Sequence, residues 1–189
     1  MKKKFLRQVM SSREIDLALS RIAAEILEHH SDLDNLVLVG IRRRGVPLAE
    51  ILRNKIEKLS GKKLPIGILD ITFYRDDLSL ADTQPVMEGS KLNFQATGKE
   101  VILVDDVLFT GRTTRAALES IIDYGRPKRV ELVVLVDRGH RELPIQADYT
   151  GKFIESSRDE VIEVRLPSFD NEEGVYLTTK KVMEKEADS

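Results

Sequence analysis

Apolar residues recur along the chain with two different periods. The first stretch follows Ser11 and Glu14, which are spaced like the two members of a capping box at the start of a helix. Its apolar positions are Ile15, Leu19, Ile22 and Ile26. Because spacings of three and four residues place them on one face, the pattern predicts an amphipathic helix. Residues 36–40 are instead apolar without interruption, which predicts a strand buried on both faces.

The same two patterns alternate through the rest of the chain. Pro47 suits the first turn of a second helix. Its predicted inward positions are Leu48, Leu52, Ile56 and Leu59. Further strands are predicted at residues 66–74, 100–104, 130–136 and 161–166, and a third helix at 113–122. This alternation predicts an α/β fold with a doubly wound, mostly parallel sheet, in which ligands bind at the carboxyl ends of the strands.

The length of the chain suits a single domain. A protein of 189 residues is long enough for one complete α/β domain, and we expect positions 1–189 to form it. The polar segment at about 74–98 is long for a loop inside a compact domain, so it predicts a lid over a ligand site. The charged tail, 180–189, is predicted to fray.

Composition limits the possible settings of the protein. The 30 Lys and Arg residues nearly balance the 32 Asp and Glu residues, so the whole chain is not drawn to nucleic acid, although a local basic face is compatible with this balance. The chain contains no cysteine, which excludes disulfides and thiolate sites. The basic start is not followed by an apolar run, and no apolar stretch reaches the length of a membrane helix. We therefore expect a cytoplasmic protein without a membrane partner.

Residues 101–113 carry the clearest chemical signal. Asp105 and Asp106 follow an apolar strand, and Thr110-Gly111-Arg112-Thr113 opens the next helix. The backbone N–H groups of a first helical turn, with threonine hydroxyls beside them, predict a phosphate site that Gly111 lets a ligand approach closely. The two carboxylates precede this turn and suit the hydroxyl groups of a ribose. The alternative interpretation is that the acids merely cap the helix.

Two other phosphate-binding motifs are excluded. A P-loop requires a lysine followed by serine or threonine after its glycines, and a dinucleotide fold requires three glycines at fixed spacing. The sequence contains neither pattern. Sites for nucleoside triphosphates and NAD of these kinds are therefore not expected.

Residues 101–113 resemble the phosphoribosyl pyrophosphate signature of type I phosphoribosyltransferases, and residues 39–45, 71–78 and 136–145 resemble the PyrR family. The resemblance implies the type I phosphoribosyltransferase fold, with a small hood and a flexible lid. It also implies uracil phosphoribosyltransferase activity, with Mg²⁺ held mainly by substrate oxygens rather than by dedicated protein ligands. The implied second activity is transcription attenuation, through UMP-dependent binding to pyrimidine mRNA. Expected partners are phosphoribosyl pyrophosphate, uracil, UMP, UTP, a pyr mRNA leader and further copies of the chain, as a homodimer or tetramer.

The resemblance also implies roles for individual residues. The implied catalytic residues are Asp105, Asp106, Arg43 and Arg44, the arginines binding pyrophosphate. The implied substrate-binding residues are Arg43, Arg44, Arg75, Asp105, Asp106, Val107, Leu108, Phe109, Thr110, Gly111, Arg112, Thr113, Arg138 and Val161. As alternatives, residues 42–44 form only a solvated loop, Arg75 forms a salt bridge with one of the aspartates that follow it, and Arg138 only pairs with Asp137.

An RNA-binding face is the least defined part of the prediction. The candidate contacts are Arg21, His140, Arg141 and Lys152. As an alternative, His140 is an ordinary surface or capping residue. The sequence has Ala24 and Gln146 where we would expect basic groups on such a face. Two alternatives for the whole protein are a nucleotide sensor without catalysis and a transferase for hypoxanthine, guanine or orotate.

Overall fold

Eight strands and three α-helices make up the described part of the chain. The computed structural model describes residues 7–74 and 89–179. The strands are β1 (Arg7–Ser11), β2 (Leu36–Ile41), β3 (Ile66–Leu69), β4 (Glu100–Leu108), β5 (Arg129–Asp137), β6 (Tyr149–Phe153), β7 (Glu160–Arg165) and β8 (Gly174–Thr179). The helices are α1 (Ser12–His29), α2 (Gly45–Ser60) and α3 (Arg112–Ile122), and a 3-10 turn covers Thr72–Tyr74.

A five-stranded parallel sheet with helices on both faces forms the body of the protein. Its strand order is β3-β2-β4-β5-β6. Leu36 and Leu38 of β2 pack in the core with residues of α1 and α2, whereas Val37 and Val39 pack in a second core with residues of α3. Because neighbouring residues of a strand point to opposite faces, both faces of β2 are apolar and both are covered. The predicted α/β fold is confirmed.

Local chemistry fixes the start of α1. The backbone N–H of Ser11 donates to Oε2 of Glu14 over 2.8 Å, and the N–H of Glu14 donates to Oγ of Ser11 over 3.3 Å. This reciprocal pair satisfies backbone donors that the first helical turn leaves without partners. The predicted apolar positions of the helix are all buried. The predictions of the capping box and of the amphipathic face are therefore confirmed.

A separate three-stranded antiparallel sheet forms the hood. Its order is β1-β8-β7, so it joins residues near the start of the chain to residues beyond position 160. Sequence patterns predicted β7 but missed β1 and β8, as well as β6 in the main sheet. These strands have five or six residues each, too few for a period to stand out. Partners distant in sequence, rather than their own pattern, determine that they are extended.

Two predicted elements need correction. Leu59 is 60% exposed, although Leu48, Leu52 and Ile56 of the same stripe are fully buried. Leu59 lies in the last turn of α2, which ends at Ser60. The strand predicted at 66–74 is also too long, because β3 ends at Leu69.

The last part of the segment predicted as a lid contacts the body of the protein. Ile68 and Lys91 exchange backbone hydrogen bonds of 2.8 and 2.9 Å, and Ala96 is fully buried, so residues 90–98 belong to the body of the protein. Residues 75–88 of the predicted lid, which include Arg75, lie outside the described residues, as do residues 180–189, the tail predicted to fray. Within residues 7–74 and 89–179, no helix has the length and apolar character needed to cross a membrane.

Candidate active site

A cleft of about 500 Å³ opens where the carboxyl ends of β2, β3 and β4 meet. The residues that line it are Arg42, Arg43, Arg44, Asp70, Ile71, Thr72, Asp105, Asp106, Val107 and Thr113. Because parallel strands end at the same edge of the sheet, segments that are distant in sequence share this space. The cleft therefore offers both guanidinium and carboxylate groups to one ligand.

Asp105 and Asp106 form a desolvated acidic pair on the floor of the cleft. They lie within β4, which continues to Leu108 instead of ending at residue 104 as predicted. Asp105 is only 7% exposed, and its Oδ1 accepts a 2.9 Å hydrogen bond from the N–H of Asp106. Burial raises the pKa of Asp105 well above its ordinary value, and the charge of Asp106 raises it further. Burial also raises the pKa of Asp106, against the opposing charge of Arg44. Such a pair gains from a ligand that brings hydrogen-bond donors or positive charge.

The arginine-bearing turn after β2 forms one wall of the cleft. Arg42, Arg43 and Arg44 all line it, although the side chain of Arg43 is exposed. The peptide between Arg42 and Arg43 is cis. A Cβ at Gly45 would collide with the carbonyl group of Val104, so only glycine lets α2 begin this close to β4. The turn is thus held against the strand that carries the acidic pair.

The turn between β4 and α3 has the geometry of an anion site. Gly111 is the N-cap of α3, with φ of 91°, a conformation that favours glycine. The helix has no side-chain cap, so the interpretation of the two acids as helix caps is wrong. Thr113 lines the cleft, and the carbonyl of Thr110 is tied to the loop after β5 by the N–H groups of Glu142 and Leu143 over 2.9 and 3.2 Å. The N–H of Arg112 donates to Oγ1 of Thr110 over 3.4 Å, and the next residues of the first turn of α3, from Thr113, lie at the cleft edge.

Not every residue of the predicted motif contacts the cleft through its side chain. The side chain of Leu108 is 2% exposed and packs in the core beside α3. Arg112 is exposed and donates from Nε to Glu142 over 2.9 Å. Val107 does line the cleft. The structure therefore brings Asp105, Asp106, Val107 and Thr113 together and leaves Leu108 and Arg112 outside the lining.

Asp70 is a cleft residue that the sequence analysis missed. Its Oδ1 accepts hydrogen bonds from the N–H and the hydroxyl of Thr72 over 3.1 and 2.6 Å, which turns the chain and ends β3. Burial alone would raise the pKa of Asp70, but the bonds from Thr72 and the charge of Arg42 outweigh it and lower the pKa. The available signal was an aspartate directly after an apolar stretch, the same signal as at Asp105.

Arg138 lies beside the cleft, at the end of β5, in a buried polar cluster. It is 5% exposed, and its guanidinium carbon lies 4.2 Å from the centre of the Phe109 ring. Its Nη2 donates over 2.8 Å to the carbonyls of Ser157 and Glu160, the latter adjoining Val161. Asp137 instead accepts from Arg141 and from a backbone N–H, so the alternative pairing of Arg138 with Asp137 is wrong.

Comparison with known proteins agrees with this geometry. Residues 7–168 match the family model of the phosphoribosyl transferase domain. A protein of Caldicellulosiruptor bescii named Bifunctional protein PyrR is 53% identical over 171 residues, which cover 90% of this chain and 94% of that protein. The protein of the same name from Clostridioides difficile is 53% identical over 170 residues, covering 90% and 96%. This chain belongs to the PyrR family of phosphoribosyltransferases.

Solved structures show the same fold at much lower identity. A hypoxanthine phosphoribosyltransferase of Trypanosoma cruzi superimposes with a TM-score of 0.74 at 14% identity, covering 100% of this chain and 99% of that one. One from Staphylococcus aureus gives 0.69 at 21% identity, covering 95% and 98%. At such identities the likeness establishes the type I phosphoribosyltransferase fold alone. Both the fold and the PyrR family were predicted from the sequence, and both predictions are confirmed.

Two of the residues predicted to contact RNA share a surface on this PyrR-family chain. Arg21 and Lys152 line a shallow depression of about 360 Å³ between α1 and β6. Nη2 of Arg21 donates to the carbonyls of Thr150 and Gly151 over 3.0 and 2.8 Å. Lys152 donates from Nζ to the carbonyl of Val9 over 2.9 Å. Arg21 therefore covers part of the backbone of β6, an edge strand of the sheet, and Lys152 ties that strand to β1.

The other two predicted RNA contacts lie in the loop after β5. Nε2 of His140 is 2.5 Å from the carbonyl oxygen of Ser156. Arg141 donates to the carbonyls of Phe109 and Ile145 over 2.9 Å and pairs with Asp137. His140 and Arg141 thus hold the loop that adjoins the turn between β4 and α3. Replacing Arg141 would disturb this turn as well as any contact with RNA.

The carboxylates of the cleft are the groups that a metal ion would meet. Among the described residues, no three His, Cys, Asp or Glu side chains are arranged to hold a metal ion. Asp105 and Asp106 nevertheless supply hard oxygen atoms of the kind that Mg²⁺ prefers. Their desolvation makes a nearby cation favourable. The cleft therefore fits an ion that arrives with a ligand and keeps most of its other oxygen ligands from that ligand and from water.

Proposed function

We propose that this protein transfers the phosphoribosyl group of phosphoribosyl pyrophosphate to uracil, which forms UMP and releases pyrophosphate. One observation carries the proposal: the arginine turn, the buried acidic pair and the start of α3 all border a single cleft. A sugar that bears a phosphate on one side and a pyrophosphate on the other requires these three groups around one space. Membership of the PyrR family supports uracil as the base.

The arginine turn serves the leaving group. As the bond from the anomeric carbon to pyrophosphate breaks, negative charge accumulates on the departing oxygens and positive character develops on the ribose ring. Arg43 and Arg44 would offer guanidinium donors to those oxygens, which is the geometry that binds phosphate best. Nη2 of Arg44 lies 3.4 Å from Oδ2 of Asp170, in the loop that joins β7 to β8 of the hood. This contact helps to orient Arg44. Donors fixed before the reaction lower its barrier because they need not reorganise as the charge develops.

The acidic pair and the phosphate turn hold the two other parts of the substrate. Asp105 and Asp106 would accept hydrogen bonds from the ribose hydroxyls, which offsets the cost of their burial. The first-turn N–H groups of α3 and the hydroxyl of Thr113 would bind the 5′-phosphate. Mg²⁺ bound to the pyrophosphate would supply further charge neutralisation, held mainly by substrate oxygens and water. Holding all parts of the substrate at once lowers the activation barrier, because the reacting groups no longer lose positional freedom during the reaction.

The base would lie beside Arg138, under the hood. Arg138 and the backbone near Val161 adjoin the end of β4, where the anomeric carbon would be. Polar groups of this kind distinguish bases by matching donors and acceptors on the base edge. The residues that resemble the PyrR family at positions 136–145 include Arg138 and form this part of the site. They favour uracil over hypoxanthine, guanine or orotate.

The test is the replacement of both acids. We expect Asp105→Asn with Asp106→Asn to abolish formation of UMP from labelled uracil, because amides replace the two acceptors that face the ribose. The matched control is Asp32→Asn with Asp34→Asn, an exposed pair outside the cleft. Folding is checked by circular dichroism. Normal turnover in the cleft variant would contradict the proposal, and so would a wild-type protein that prefers another base in direct competition.

We propose RNA binding as a second activity, dependent on UMP. The name Bifunctional protein PyrR of the close relatives supports it, as does the position of Arg21 and Lys152 in one depression. Ala24 and Gln146 are exposed and uncharged, so they add no phosphate contact. A gel shift with a pyrimidine leader RNA, with and without UMP, tests the activity. Binding that ignores UMP, or no binding by the wild type, would contradict the proposal, whereas UMP-dependent binding without turnover would identify a sensor.

A further inference from the structure

Ser156 connects two side chains of the buried polar cluster around Arg138. It belongs neither to the sequence motifs nor to the lining of the cleft. It lies between β6 and β7 and is 8% exposed. Its Oγ accepts a 3.1 Å hydrogen bond from Nε of Arg138. Its carbonyl oxygen accepts a 2.5 Å bond from Nε2 of His140, which must be the donor because a carbonyl has no hydrogen. One small residue therefore binds two side chains from the loop after β5.

The side chains that Ser156 binds enclose the ring of Phe109. The guanidinium of Arg138 lies 4.2 Å from the ring centre, and His140 meets the ring edge-on at 5.9 Å. Phe109 directly follows β4, the strand that carries the acidic pair. The cluster thus joins the hood to the reactive end of the sheet through Arg138.

The orientation of Arg138 depends on its acceptors. Burial lowers the pKa of Arg138, which reflects the cost of removing this charge from water. Nε and Nη2 donate to Ser156 Oγ and to the carbonyls of Ser157 and Glu160, so three acceptors fix the plane of the guanidinium. Nη1 takes no part in these three bonds. The Ser156 hydroxyl is the only acceptor of the three that belongs to a side chain and is removable without changing the backbone.

We propose that Ser156 is a positioning residue for base recognition, which holds Arg138 so that Nη1 meets a carbonyl oxygen of the pyrimidine. The inference rests on the proposed function, since it assigns Arg138 to the base. Without the Ser156 hydroxyl, a buried charged donor loses its acceptor and the guanidinium rotates about its long side chain. Affinity for the base falls, while the pyrophosphate end of the other substrate, bound by a different turn, is unaffected.

The experiment compares steady-state kinetics of Ser156→Ala and Ser157→Ala. Ser157 is the matched control because its side chain is exposed and only its backbone contacts Arg138. We expect Ser156→Ala to raise KM for uracil about tenfold or more, the value of one hydrogen bond to a charged group, with KM for phosphoribosyl pyrophosphate unchanged. Ser157→Ala should match the wild type, and Ser156→Thr, which keeps the hydroxyl, should restore uracil KM.

The outcomes separate this inference from the proposed function. An unchanged uracil KM in Ser156→Ala overturns the role of Ser156, and so does an equal rise in both KM values together with a lower Tm, which a purely structural role would give. If Ser156→Ala does not fold, Ser156→Cys decides, because its thiol is of similar size but is a weak acceptor. A normal uracil KM in that variant overturns the inference. Failure of the wild type to use uracil would instead overturn the proposed function.

Discussion

His30 links α1 to the amino-terminal ends of β4 and β5, at the edge of the sheet opposite the cleft. It is 4% exposed, and its Nδ1 and Nε2 lie 2.8 and 2.6 Å from carboxylate oxygens of Glu100 and Glu131. We predict that His30→Ala markedly destabilises the protein, because it removes a partner from two acidic side chains at once.

The burial of the two carboxylates sets the size of the effect. Glu131 is 3% exposed and would keep only its pair with Arg129 and a 3.3 Å bond from the hydroxyl of Tyr149. Glu100 is 19% exposed and would keep its 2.6 Å contact with Lys128, so it adds little. Removal of the hydrogen-bond partner of a buried polar group costs about 1–3 kcal/mol, and more for a charged group, so we expect a loss of about 3 kcal/mol.

The assay is urea unfolding followed by circular dichroism. A loss of about 3 kcal/mol corresponds to a fall in Tm of roughly 6–12 °C for a domain of this size. His29→Ala is the matched control, since the neighbouring histidine is exposed and meets Tyr149 through a 3.1 Å contact of Nδ1 with the hydroxyl and through a tilted ring contact at 5.6 Å. We expect the control to lose about 1 kcal/mol or less. Equal unfolding midpoints for the two variants would refute the role of His30 as the buried partner of Glu100 and Glu131.

Two further predictions concern the helix starts. Hydrogen bonds from the backbone N–H of Ser11 and, to a smaller extent, from its hydroxyl lower the pKa of Glu14 from 4.5 to about 2. The ionised Glu14 therefore stabilises the fold fully above pH 4.5, and this stabilisation is lost as the pH falls from about 4.5 to about 2. The urea midpoint of the wild type should fall with pH over this range, and that of Glu14→Gln should fall less. Equal falls in the two proteins would contradict the contribution of Glu14. Gly111→Ala should cost about 1–2 kcal/mol and raise KM for phosphoribosyl pyrophosphate, because φ is 91° in the phosphate turn. Gly61→Ala is the control, because Gly61 has φ of 73° and its added Cβ would meet no other atom. It should lose the same free energy of unfolding, measured in urea, with an unchanged KM for phosphoribosyl pyrophosphate. An equal KM in the two variants would contradict the role of Gly111.

Elements that depend on nearby residues were predictable. The capping box of Ser11 and Glu14 determines the start of α1, and the turn at Gly111 determines the start of α3. Both act within a few residues, so their signals are complete in a short window of sequence. The acidic pair was recognised for the same reason, although its strand proved longer than predicted.

Features that depend on distant residues were not predictable. Asp70 belongs to the cleft because β3 pairs with β2, and Ser156 belongs to the cluster because the hood places it over Arg138. The exposure of Leu59 also depends on which residues pack against the last turn of α2. A single sequence does not specify which segments meet across the sheet.

The sequence by itself determined the α/β class and the family, and it predicted a site at the end of β4. It did so because periodic burial and the short phosphate-binding turn are local consequences of backbone geometry. The tertiary structure decided which charges share the cleft, that Arg138 binds Ser156 and not Asp137, and that Arg21 and Lys152 lie together. These are contacts between residues far apart in sequence, which form only when the strands are in register and the hood is in place.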